Sequence, residues 1–192
     1  MKRISFASGE WKKEWFRYVY SPKFDSTPSF AQERECIVNA GNLKENNFDY
    51  VSILTEDKFS TGVTIEATCS FENYGAPLIV ISDDIYKGQN NEWYYGKHFE
   101  IVLYQGGINV WELDLNQGIM KTENLMRFRF PVTAGSLHTM QVKVLDSALD
   151  ISMEEKSIRI KVDGLPKEFR VGLTACEGIN RFYTLGITSG EE

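Results

Sequence analysis

Residues 97–115 read KHFEIVLYQGGINVWELDL, and the alternation on either side of Gly106-Gly107 decides the fold. Successive side chains on a β-strand point to opposite faces, so every second residue shares a surface. Phe99, Ile101, Leu103 and Val110 fall on one surface, which reads as core. His98, Glu100, Val102, Tyr104, Asn109, Trp111 and Leu113 fall on the other. The two glycines supply the positive φ angles of a two-residue hairpin loop, and the register counts outward from them. On that count Tyr104 faces Asn109, Leu103 faces Val110, Val102 faces Trp111 and Glu100 faces Leu113.

The same period-two pattern recurs along the chain, with turn residues between the runs. Strands are expected at 15–20, 35–39, 50–54, 63–71, 78–82, 99–104, 108–113, 125–130, 139–145, 149–153, 157–162, 169–175 and 182–187. No stretch keeps the helical period for more than two turns. So many short strands predict an all-β protein, a two-sheet antiparallel sandwich formed as one domain over residues 1–192. Asp163-Gly164 reads as a further tight turn, and Pro77, Pro131 and Pro166 are expected at strand edges. In LMRFRF, Met126, Phe128 and Phe130 take the core parity, which leaves Arg127 and Arg129 with the polar face. In TMQVKVL, Met140, Val142 and Val144 leave Thr139, Gln141 and Lys143 outside.

Composition narrows the partners. The formal net charge of -6 sets a long-range field that repels polyanions, and no lysine or arginine run breaks it, so nucleic acid is not an expected partner. No window approaches a membrane span and the opening MKRISFASGEW lacks an apolar run, so a cytoplasmic, membrane-free protein is expected. Three cysteines at wide spacings, Cys36, Cys69 and Cys176, fit neither a disulfide framework nor zinc knuckles. Cys69 shares the parity of Val63, Ile65 and Ala67 and reads as a small core residue. Two histidines make no zinc motif, and Asp83, Asp84 and Glu92 lack the spacing of a calcium loop, so no metal or cofactor is expected.

An aromatic content of 13% needs a home in core or binding surface. A polar face carrying Tyr104 and Trp111 suits carbohydrate: a flat ring stacks on the apolar side of a sugar while neighbours bind its hydroxyls. The connection SDDIYKGQNNEWYYGK, residues 82–97, is long and holds Trp93, Tyr94 and Tyr95, so it reads as a lid or wall over that face.

The segments FDYVSILTEDKFSTGVTIEATCSF and HTMQVKVLDSALDISMEEKSIRIKVDGLPKEFRVGLTACEGINRFYTLGI resemble the concanavalin A-like lectin and glucanase superfamily. The resemblance rests on a strand ending in Asp-Gly, a VGLTA strand, a Glu-Gly turn and an aromatic last strand. It implies a jelly roll whose concave face cradles a glycan. Related glucanases place two carboxylates on one strand as Glu, an apolar residue, Asp and a second Glu. Here Glu100 is followed by Val102 and Tyr104 at the corresponding places.

Glu100 and His98 are therefore the candidate acid and base, or else a plain charge pair on a sheet. Tyr104, Asn109, Trp111, Trp93 and Tyr95 are candidate ligand contacts. Arg127 and Arg129 either bind a carboxylate-bearing sugar or balance an acidic protein. Three functions follow: binding of an oligosaccharide or polysaccharide without cleavage, glycoside hydrolysis in the same cleft, or a structural sandwich whose aromatic face is a subunit interface.

Overall fold

The long strand Val63–Ser82 pairs along nearly all its length with a second long strand, Glu168–Ser189, and these two form the spine of the molecule. The computed structural model describes residues 2–21, 29–39, 50–116 and 119–190. Its strands are β1 (Lys2–Ser5), β2 (Phe16–Tyr20), β3 (Ala31–Gln32), β4 (Ile37–Val38), β5 (Tyr50–Thr55), β6 (Phe59–Ser60), β7 (Val63–Ser82) and β8 (Ile85–Lys87). They continue with β9 (Trp93–Tyr95), β10 (His98–Tyr104), β11 (Gly107–Asn116), β12 (Ile119–Arg129), β13 (His138–Val144), β14 (Ala148–Met153), β15 (Lys156–Lys161) and β16 (Glu168–Ser189). A single 3-10 turn, Lys13–Trp15, is the only helical element among the described residues.

β7 and β16 each serve both layers. The later half of β7 and the earlier half of β16 sit in a front layer ordered β12-β11-β10-β7-β16-β5-β2-β9-β8. The earlier half of β7 pairs with β13, which leads to β14 and β15, while the later half of β16 pairs with β1 and β4, giving the back layer. One apolar core joins Ile79, Ile101, Leu103 and Val110 of the front to Ile65, Val142, Ile151 and Leu185 of the back. The fold is an all-β, concanavalin A-like jelly roll.

The crease between layers falls where β16 shifts register, between Cys176 and Asn180. Asn73, Glu177 and Gly178 adopt positive φ there. Gly178 is required, because a Cβ would lie 2.0 Å from the Tyr74 carbonyl oxygen. Two buried amides hold the bend. Asn39 Nδ2 donates to Gly178 O at 2.9 Å, the Asn180 N–H donates to Asn39 Oδ1 at 2.7 Å, and Asn180 Nδ2 donates to Glu177 O at 2.7 Å.

Several expectations are corrected. The runs at 63–71 and 78–82 are one strand, as are those at 169–175 and 182–187, since bulges bend a strand without ending it. Pro77 lies inside β7, one residue past the last rung with β10, Val102 to Leu78. The segment 82–97, expected as a lid or wall, is built from strands: it holds β8 and β9, which extend the front layer through a parallel pairing of β9 with β2 and bring Tyr95 onto the concave side.

The central hairpin turns at Gln105-Gly106, with Tyr104 opposite Gly107, Leu103 opposite Ile108 and Glu100 opposite Trp111. This register is two residues from the expected one. A shift of two preserves facing, so the division into core and polar faces stands. Gly107, at φ 126°, is needed for another reason: a Cβ there would meet Phe128 O of β12 at 2.0 Å.

Candidate functional site

On the front layer, the parity that buries Phe99, Ile101, Leu103 and Val110 to 1% exposure or less sends the alternate residues to the concave side. Cross-strand pairing arranges them in rows: Trp111 beside Glu100 beside Val80 beside Gly172 beside Leu54, and Asn109 beside Val102 beside Leu78 beside Thr174 beside Ser52. Part of this side is filled. Val19, Leu54, Val80 and Tyr95 form a second small apolar cluster under β9. The remainder is an open cleft of about 390 Å³ running across β11, β10, β7, β16 and β5 to the end of β2.

Rings dominate its lining: Tyr20, Tyr50, Tyr95, Tyr104 and Trp111. The Tyr104 ring lies across Gly106, where a Cβ would come within 2.5 Å of it. Tyr95 stacks on His98 at 4.6 Å between centroids and 28° between planes, and its hydroxyl sits over Gly172, where a Cβ would approach to 2.8 Å. A chain of hydroxyls anchors it, Tyr95 to Ser52 at 2.8 Å and Ser52 to Thr174 at 2.7 Å. Burial is the main force holding the Tyr95 phenol above its ordinary titration range, and the nearby Glu100 charge adds to it.

Glu100 lies at the middle of the cleft and is 9% exposed. Its Oε1 accepts a hydrogen bond from the Tyr50 hydroxyl at 3.2 Å. Burial first, then the Glu100 charge, pushes the Tyr50 phenol far up, so it remains a proton donor to the carboxylate. His98 Nδ1 donates to the Gly96 carbonyl at 2.9 Å, which turns Nε2 toward Glu100 Oε1, 3.5 Å away. That contact is an ion pair only when the ring carries both protons. Oε2 has no protein hydrogen-bond partner among the described residues.

Six of the nine expected site residues, His98, Glu100, Tyr104, Asn109, Trp111 and Tyr95, line this one cleft. Trp93 does not: it is held by cations, with the Arg17 guanidinium 4.1 Å and the Lys87 ammonium 5.2 Å from its ring. Arg127 and Arg129 stand opposite Asn109 and Gly107 on β12 but are exposed and outside the lining, and Arg127 Nε donates to Asn124 Oδ1 at 3.0 Å. Tyr20, Ser21, Tyr50, Thr122, Cys176 and Glu177 line the cleft without having been expected there. For Tyr50 the signal existed, since it has the parity of Ser52 on β5; Thr122 lies inside β12 opposite Leu113, and the others come from strand ends and the crease, which alternation does not locate. No group of three or more His, Cys, Asp or Glu suited to a metal ion occurs among the described residues. Cys69 is fully buried, which pushes its thiol up to about 12.

No family model and no curated protein matches the sequence. Solved structures do. A glycoside hydrolase family 16 endo-glucanase from Bacteroides ovatus superposes with TM-score 0.68 at 11% identity, over 97% of this chain and 99% of its own. The carbohydrate-binding module CBM66 from Bacillus subtilis gives TM-score 0.65 at 11% identity, over 91% and 96%. An immunostimulatory antigen and pseudo β-1,3-glucanase of Mycobacterium tuberculosis gives 0.64 at 12%, over 100% and 99%. At such identity the likeness is one of fold.

Proposed function

We propose that this jelly roll binds carbohydrate in its concave cleft and does not cleave it. The observation that carries the reading is the union, in one open trough, of half-buried rings with a small set of convergent hydrogen-bonding groups: Trp111, Tyr104 and Tyr20 around Glu100, Asn109 and Thr122. Support also comes from fold neighbours that include a carbohydrate-binding module and glucanases.

Hydrolysis is disfavoured by what surrounds Glu100. Glycoside cleavage uses two carboxylates flanking the scissile bond. Val102 and Tyr104 occupy the strand positions where the resemblance puts acids, and among the described residues the other carboxylate of the lining, Glu177, is exposed at the crease.

Calorimetric titration against a panel of neutral and acidic oligosaccharides tests the reading. Saturable binding that Trp111→Ala removes is the expected result, and no binding across the panel overturns it. Release of reducing ends that disappears in both Glu100→Gln and Glu177→Gln would replace binding with hydrolysis.

A further inference from the structure

The charge and hydrogen-bonding character of the cleft specify more than "sugar". Among the described residues two carboxylates line it, Glu100 and Glu177, and no lysine or arginine does. Because His98 Nδ1 is committed to Gly96 O, a neutral ring presents the lone pair of Nε2 to the same space that Glu100 occupies. Tyr50 supplies one donor, to Oε1, and Oε2 of this nine-tenths buried carboxylate receives none from the described residues. Beside it Asn109 lines the cleft with its own Oδ1 buried and unpartnered. Pairing puts Asn109 diagonal to Glu100, a separation of roughly 7–8 Å.

Resting on the carbohydrate reading above, we propose that the cleft selects a glycan that is uncharged where it meets Glu100, takes one of its hydroxyls as a donor to Oε2, and rejects chains bearing uronate or sulfate groups. An anion brought beside a carboxylate in a partly dehydrated site is repelled, and screening by salt is weak there. A hydroxyl faces no such barrier and satisfies an acceptor that the protein leaves open. Glu177, exposed at the rim, adds a second negative charge on the path inward. The arginines that would have favoured an acidic sugar lie outside the lining.

The test is calorimetric titration with neutral glucan oligosaccharides and with the same oligosaccharides oxidised to glucuronates. The neutral chain is expected to bind at least about tenfold more tightly than the oxidised one. Glu177→Gln, at an exposed position that does not threaten folding, narrows that ratio about twofold to threefold. Glu100→Gln narrows it further by admitting the oxidised chain and weakening the neutral one. Equal or tighter binding of the glucuronate, or a ratio that neither variant changes, overturns the selection while leaving carbohydrate binding in place. Capture of the glucuronate that Arg127→Ala abolishes overturns it in the same way. Failure of both chains to bind removes the carbohydrate reading and this inference together.

Discussion

The sandwich has two outward polar faces, one on each layer, and they differ in what their polar groups do. On the back layer Thr68 bonds Thr139 at 3.1 Å and accepts from Thr184 at 3.0 Å, Gln141 donates to Glu66 at 2.8 Å, and Arg159 Nη2 holds Asp150 at 2.6 Å. A depression of about 460 Å³ lies there, slightly larger than the cleft, yet no aromatic side chain lines it. On the front layer the rings are many, and Glu100 Oε2 and Asn109 Oδ1 lack protein partners among the described residues. Alternation writes a polar face into both layers. Only the face whose acceptors stay open and whose rings line a cleft has something left for a ligand.

That contrast can be broken by experiment. Trp111→Ala should weaken oligosaccharide binding about thirtyfold, roughly 2 kcal/mol, as a central ring contact does. Calorimetry reads the loss, and a circular dichroism melt should show a far smaller shift than a core aromatic deletion gives. Gly172→Ala is next: its Cβ would press on the Tyr95 hydroxyl at 2.8 Å and on Val80 Cβ at 3.0 Å, and overpacking of this kind costs about 1–3 kcal/mol in a denaturant titration. Binding should fall too, because Tyr95 is displaced toward the cleft.

Thr139→Val on the back face should leave affinity unchanged and shift stability by no more than about 1 kcal/mol. A loss of sugar binding in that variant would erase the distinction between the faces. The smallest effect belongs to Asp150, whose carboxyl is held below its usual range chiefly by the hydrogen bond from Arg159. A group with a lowered folded-state pKa contributes stability above its unfolded value and loses it as pH falls through the folded one. Asp150→Asn should therefore lower stability slightly at neutral pH and leave it nearly unchanged at pH below the folded value, which flattens a small part of the acid limb of a stability-against-pH curve. Arg159 is largely exposed and Asp150 partly so, which keeps the change slight.

Facing was legible from the sequence, and position along the strand was not. Phe99, Ile101 and Leu103 separate from His98, Glu100 and Tyr104 by a period of two that any register sharing that parity preserves. The register itself depended on which glycine turns the chain, and Gly107 is held by the approach of β12, a contact between distant strands. The same limit explains the crease: Gly75, Pro77 and Gly178 look like strand ends, whereas long-range pairing carries β7 and β16 through them. Trp93 and Tyr95 are two residues apart in one short strand, yet one is clamped by Arg17 and Lys87 and the other reaches the cleft. Nothing local separates their fates.

The shared spine also has a kinetic meaning. Each rung of β7 with β16 joins residues far apart in the chain, from Ser82 with Arg170 to Val63 with Ser189, so neither layer can close before the late segment arrives. Such distant pairing slows folding. Until then β7 keeps the whole edge that β16 will cover unpaired, along a strand rich in Val and Ile, which marks the waiting intermediate, rather than the finished protein, as the species most prone to aggregate.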